Sequence, residues 1–182
     1  TTIFSVMSQL AAEHGAVNLG QGFPDFPAPQ RLLDATSAAM AAGHNQYAPM
    51  HGVAVLRQAI AAKALACYGA VVDVDSEITV TSGGTEAIFN AIHAVVRPGE
   101  EVIVLDPCYD SYEPAIDLAG ARAVHVPLAG PDFHVDWQRV RDAITPRTRM
   151  LIVNSPHNPT GAVFAAADLD ALATLVRDTG IY

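Results

Sequence analysis

Lysine is almost missing from this chain. Of the ten basic side chains in 182 residues, nine are arginine and the only lysine is Lys63. Against them stand nineteen Asp and Glu, for a net charge of −9. With no basic stripe to neutralise phosphates, a nucleic-acid partner or an anionic membrane surface is excluded as an expectation. Cysteine is scarce as well. Cys67 and Cys108 stand far apart without a CxxC pair, which argues against a disulfide framework or a cysteine-based zinc site and for a reducing, cytoplasmic setting. The seven histidines show no zinc-ligand spacing on a helix, so no metal site is expected. No charged-then-apolar leader opens the chain, and no apolar run reaches the roughly 18–20 residues a membrane span needs. Disorder is excluded by 51% hydrophobic and 16% charged residues, with a mean hydropathy of +0.24.

The pattern that is present changes period part-way along. Residues 4–14 read as a short helix, followed by the Gly- and Pro-rich run NLGQGFPDFPAP, which forbids regular structure. Apolar spacings of three and four then predict helices over QRLLDATSAAMA, stopping at Gly43, and VAVLRQAIAAKALACY, stopping at Gly69. From there strands and helices alternate. Strands are expected at 77–81, 101–107, 122–128 and 149–156, with helices following each, the last running from 166 to 178. Ile181–Tyr182 reads as the start of another strand, so the chain is expected to be part of a longer protein. Short strands alternating with helices predict an α/β fold with a mostly parallel sheet covered on both faces.

Ligands of such sheets bind outside the carboxyl ends of the strands, and three of those ends carry unusual residues. TSGGTEA (81–87) places two glycines between strand and helix, where backbone N–H groups and a helix N-terminus can hold an anion. A plain tight turn needing glycine φ angles explains it equally well, and neither a Walker A loop nor GxGxxG is present. DPCYDSY (106–112) could present a tyrosine ring to a planar ligand, although Tyr109 and Tyr112 also fit as half-buried helix residues. NSPHNPTG (154–161) holds two asparagines in a Pro-rich loop, and their carboxamides can bond a phenolate or carboxylate without adding charge. Asn in turns is common, but this density favours a functional loop. No G-x-S-x-G elbow surrounds Ser82, Ser111 or Ser155, and Asp136 reads as a helix N-cap.

Taken in order, NLGQGFPDF, QYAPMHGVAVLRQAI, TVTSGGTEAIFNAI, DPCYDSYEPAI and NSPHNPTGAVF resemble the class I/II aminotransferases of the fold type I pyridoxal 5'-phosphate group. The resemblance is nearest to the methionine and kynurenine/glutamine aminotransferase branch, whose members are also known as cysteine-conjugate β-lyases. It implies a three-layer large domain over 29–182, incomplete before its last strands. It also implies an arm at 1–28 that contributes to a small domain lying beyond this chain. The same resemblance implies that Gly84 and Thr85 hold the cofactor phosphate, Tyr109 stacks on its ring and Asn158 bonds its phenolic oxygen. Asn154, Gly22 and Phe4 would lie on the substrate side. Tyr47 would reach the phosphate of the partner subunit in a homodimer.

What the family would require and these residues lack is equally specific. The lysine that anchors the cofactor, the aspartate at its ring nitrogen and the arginine for the substrate carboxylate are all expected beyond Tyr182. Lys63 lies in an alanine-rich helix and reads as a solvated side chain. The expectation is therefore a pyridoxal-phosphate-dependent aminotransferase passing an amino group from an L-amino acid to a 2-oxo acid. A carbon–sulfur β-lyase and a catalytically silent binding module stand as alternatives. The 182 residues alone are expected to be inactive.

Overall fold

The computed structural model describes residues 3–22 and 24–182, which divide into two compact units, Thr1–Ala48 and Pro49–Tyr182. The first contains α1 (Ile3–Glu13) and α2 (Gln30–Ala41). Pro29 directly precedes α2, and its carbonyl accepts from the N–H groups of Leu32 and Leu33 at 2.9 and 3.3 Å. Many apolar side chains here are exposed, among them Ile3, Leu10, Leu19 and Leu32.

The second unit opens with α3 (Ala54–Tyr68), which ends at Gly69 in the left-handed region, as the sequence predicts. It continues through α4 (Gly84–Val95), β1 (Glu101–Asp106), α5 (Tyr112–Leu118), β2 (Arg122–Pro127), α6 (Trp137–Ala143), β3 (Thr148–Ile152) and α7 (Ala166–Thr179). The three strands are parallel in the order β2–β1–β3, with Val104 opposite His125 and Ile103 opposite Leu151. Asp136 caps α6 as expected, its Oδ1 accepting from the N–H groups of Gln138 and Arg139 at 3.1 and 3.2 Å.

Alternation along β1 builds the three layers. Ile103 and Leu105 face one side with Val140 of α6 and Leu175 of α7, while Val102 and Val104 face the other with Ile92 of α4 and Ile116 of α5. Both faces are buried, so β1 reads as a continuous apolar run. Each such side chain contributes about 1.5–3 kcal/mol of burial. Tyr182 extends the sheet beyond β3: its N–H donates to Arg149 O at 3.0 Å and its carbonyl accepts from Leu151 N at 2.9 Å.

One expected strand does not form. Residues 77–81 run without a ladder, and among the described residues their one strand-like backbone bond is Val80 N–H to His51 O at 3.1 Å. A β-pattern makes a strand only beside a partner with free backbone groups, and none of β1, β2 or β3 lies next to this segment. Its position is set otherwise. Gly52, at φ +98°, lies so close to Val80 that a Cβ there would stand 2.6 Å from Val80 Cγ2. Buried Arg57 of α3 ties this region together by donating to Gly52 O at 3.2 Å and to Val74 O, and by pairing with Asp75 at 3.0 Å.

At the amino-terminal foot of the sheet lies Glu101, 1% exposed. Its Oε1 takes Arg122 Nη2 and Arg147 Nη2, both at 2.8 Å, and its Oε2 takes Thr145 Oγ1 at 2.6 Å. The Thr145 hydrogen bond, followed by those of Arg122 and Arg147, holds this carboxyl down to about 2. Because the folded-state value is depressed, the stabilisation is fully present above the ordinary value of 4.5 and is lost as pH falls toward 2. Glu101→Gln is therefore expected to destabilise the protein by about 2–4 kcal/mol in urea unfolding at pH 7. The gap between variant and wild type should narrow as the pH is lowered from 4.5 toward 2.

Candidate functional site

The chain leaves β1 through α5 to β2 on one side and returns through α6 to β3 on the other. This reversal opens a crevice at the carboxyl ends of β1 and β3, where ligands of α/β sheets settle. A cavity of about 440 Å³ occupies it, lined by Gly84, Thr85, Ile88, Tyr109, Tyr112, Ile152, Val153, Asn154 and Asn158. Five residues singled out in the sequence, Gly84, Thr85, Tyr109, Asn154 and Asn158, thus share one wall although they span 75 positions.

Each is held by its own local structure. Gly83 takes φ +88°, and α4 begins at the next residue. Among the described residues no acceptor meets the N–H groups of Gly84 and Thr85, so they remain as donors at the positive end of α4. The Glu86 carboxylate turns back to the Ser82 N–H and does not line the cavity. Tyr109 sits in the turn before α5, and its ring meets that of Tyr112 edge to face at 5.7 Å and 81°. The loop after β3 is braced from within: His157, buried, shares a hydrogen bond with Thr160 Oγ1 at 2.9 Å and receives Gly161 N–H at 2.7 Å. Ser155 Oγ accepts from Phe164 N at 3.0 Å. These bonds present Asn158, itself exposed, at the rim.

The lining combines backbone N–H donors at a helix terminus, an aromatic ring and two carboxamides. No charged side chain is among them. Such a set can hold an anionic group at the α4 end, a planar ring against Tyr109 and polar ring substituents at the asparagines. Tyr112 belongs to this wall but was read from the sequence only as a half-buried helix residue. It is 6% exposed, burial raises its phenol above the ordinary value, and the neighbouring Asn154 amide partly offsets that rise. Its spacing of three from Tyr109 at the start of a helix was the available signal.

Tyr47, Gly22 and Phe4 belong to the first unit, and Tyr47 is fully exposed there. Lys63 is exposed on α3 and does not line the cavity.

Comparison with known proteins decides the family. The model of "Aminotransferase class I and II" matches residues 14–182. The chain belongs to the class I and II aminotransferases. It is 52% identical over 172 residues to a methionine aminotransferase of Escherichia coli, covering 94% of this chain and 45% of that protein. It is 37% identical over 182 residues to kynurenine–oxoglutarate transaminase 1 of Homo sapiens, covering 93% of this chain and 43% of that one. The solved structure of N-succinyldiaminopimelate aminotransferase from Mycobacterium tuberculosis superposes with a TM-score of 0.95 at 50% identity, over 100% of this chain and 48% of that one. The chain therefore spans less than half the length of these relatives. No helix among the described residues is long and apolar enough to cross a membrane.

The buried phenol gives a direct check of this wall. In a spectrophotometric titration, Tyr112→Phe should remove one tyrosine ionisation that burial holds above the ordinary phenol range.

Proposed function

We propose that the intact protein is a pyridoxal 5'-phosphate-dependent aminotransferase that passes the amino group of a neutral or aromatic L-amino acid, of methionine or kynurenine/glutamine type, to a 2-oxo acid. The observation that carries this reading is the convergence of Gly84, Thr85, Tyr109, Asn154 and Asn158 on one cavity of about 440 Å³, a size in the usual range for small-molecule sites. The donor set matches the parts of the group. Gly84 and Thr85, with free N–H donors at the head of α4, take the phosphate. Tyr109 lies against the ring, and Asn158 donates to the phenolic oxygen, favouring its anionic form. Asn154, which lines the same cavity as Tyr112, faces the substrate carboxylate.

When bound, the cofactor supplies a carbonyl that takes up the amino group and a ring that takes up the electron pair released at the substrate's α-carbon. The residues of this chain orient that ring and hold its oxygen and phosphate. The anchoring lysine, the aspartate at the ring nitrogen and the substrate-binding arginine come from beyond these residues, so the segment alone is inactive. In the same reading the protein works as a cytoplasmic homodimer. Residues 1–28 form an arm, with Gly22 and Phe4 near the substrate, and Tyr47 reaches the partner's phosphate. The relatives named above are aminotransferases, which supports transfer over carbon–sulfur lysis.

Loss of one hydrogen bond to an ionised oxygen costs about 1.5–3 kcal/mol, or roughly ten- to a hundredfold in rate. Asn158→Ala in the intact protein should lower kcat/KM with methionine or kynurenine by that factor and shift the visible absorption of the bound cofactor. Unchanged kinetics together with an unchanged spectrum would refute the assignment of Asn158.

A further inference from the structure

Beside the cavity, on the α4/α5 face of the sheet, three side chains of different chemistry converge without a part in the reading above. The parallel register sets Val104 against His125, so His125 on β2 shares a face with Asp106 two residues further along β1. Cys108 follows in the turn after β1 and packs against the same core. His125 Nδ1 lies 2.9 Å from Asp106 Oδ2 and 3.1 Å from Oδ1, and Cys108 Sγ lies within 4.8 Å of both side chains' donor atoms. The other ring nitrogen, Nε2, faces Glu113 Oε1 of α5 at 3.6 Å. Among the described residues neither Asp106 nor Glu113 pairs with Arg or Lys, so His125 stands between two carboxylates.

We propose that Asp106, Cys108 and His125 form a binding site for a thiophilic divalent cation, of which Zn²⁺ is the fitting example. A carboxylate oxygen, a thiolate and an imidazole nitrogen are all zinc ligands, and three protein ligands leave a fourth position open to water. The donor atoms lie within 4.8 Å of one another. Tetrahedral zinc, with bonds of about 2.0–2.3 Å, places its ligands roughly 3.3–3.8 Å apart, so side-chain shifts of about 1 Å close the site. Glu113 then occupies the place of the outer carboxylate that orients a metal-bound histidine through its second nitrogen. The cation takes the place of the thiol proton of Cys108 and of any proton on His125 Nδ1, and both leave to solvent. Burial and Asp106 keep the Cys108 thiol protonated in the metal-free protein, up to about 11. Occupancy ties β1, β2 and the turn that carries Tyr109 to one ion. None of this depends on the cofactor assignment.

The test uses the intact protein titrated with Co²⁺ and Zn²⁺ as sole probes. Co²⁺ should produce a near-ultraviolet thiolate-to-cobalt band that Zn²⁺ displaces at one equivalent. Cys108→Ser should abolish the band, His125→Asn should weaken binding at least about tenfold, and Glu113→Gln should weaken it about ten- to a hundredfold. Cys67→Ser, an exposed position on α3, should leave both band and affinity unchanged. Circular dichroism checks that each variant is folded. If His125→Asn does not fold, His125→Gln takes its place. No thiolate band in the wild type, or a band that survives Cys108→Ser, overturns the proposal.

Discussion

Parallel strands have no hairpin to fix their register, so something else must, and here it is a buried carboxylate at the foot of the sheet. Glu101 begins β1 and receives Arg122 from the first residue of β2, Arg147 from just before β3, and Thr145 from the turn between α6 and β3. A charge this deeply buried is tolerable only when its oxygens are filled, and filling them requires all three strands to start at the same level. One residue of slip would turn Ile103 and Leu105 toward α4 and α5 and expose the wrong face of every strand. With the feet level, the carboxyl ends of β1 and β3 stand side by side, and the crevice between them inherits its shape from the clamp at the opposite end. The clamp holds the ladder even where it is irregular, between Glu101 and Val102 on the β3 side.

The rim of that crevice is furnished by neutral donors. Backbone N–H groups at the start of α4, the ring of Tyr109 and two carboxamides line it, and the acidic Glu86 next to them is turned back on Ser82. An anion therefore meets a field created by aligned peptides and not by lysine or arginine, consistent with a chain that carries one lysine. The start of α4 is itself placed from a distance. Arg57 pins Gly52, the neighbouring His51 carbonyl receives Val80, and Gly83 and Gly84 follow. Gly52 is essential to this chain of contacts because no side chain fits between its backbone and Val80.

Much of this was legible in the sequence because it is locally encoded. Gly69 and Asp136 mark helix ends by their own conformational and hydrogen-bonding preferences, and the unbroken apolar run of β1 announces a strand buried on both faces. The five cavity residues were legible for a related reason: each follows a strand or opens a helix. Family resemblance proposes the roles that spacing leaves open. What escaped was long-range. The partners of Glu101 lie 21 to 47 residues away in sequence. Asp106, Cys108 and His125 meet only through the β1–β2 register, so no motif scan for closely spaced ligands finds them. Residues 77–81 carry a strand pattern that local propensity describes correctly, yet a ladder needs a neighbour, and none of the three strands supplies one.

The central claim is that the head of α4, Tyr109 and the two asparagines form one cradle for one cofactor. A crystal structure of the intact protein grown with pyridoxal 5'-phosphate tests it most directly. The account predicts phosphate density against the N–H groups of Gly84 and Thr85, the ring plane against Tyr109 and the phenolic oxygen within hydrogen-bonding distance of Asn158. Cofactor density seated elsewhere in the protein, with this crevice filled only by water, would contradict it.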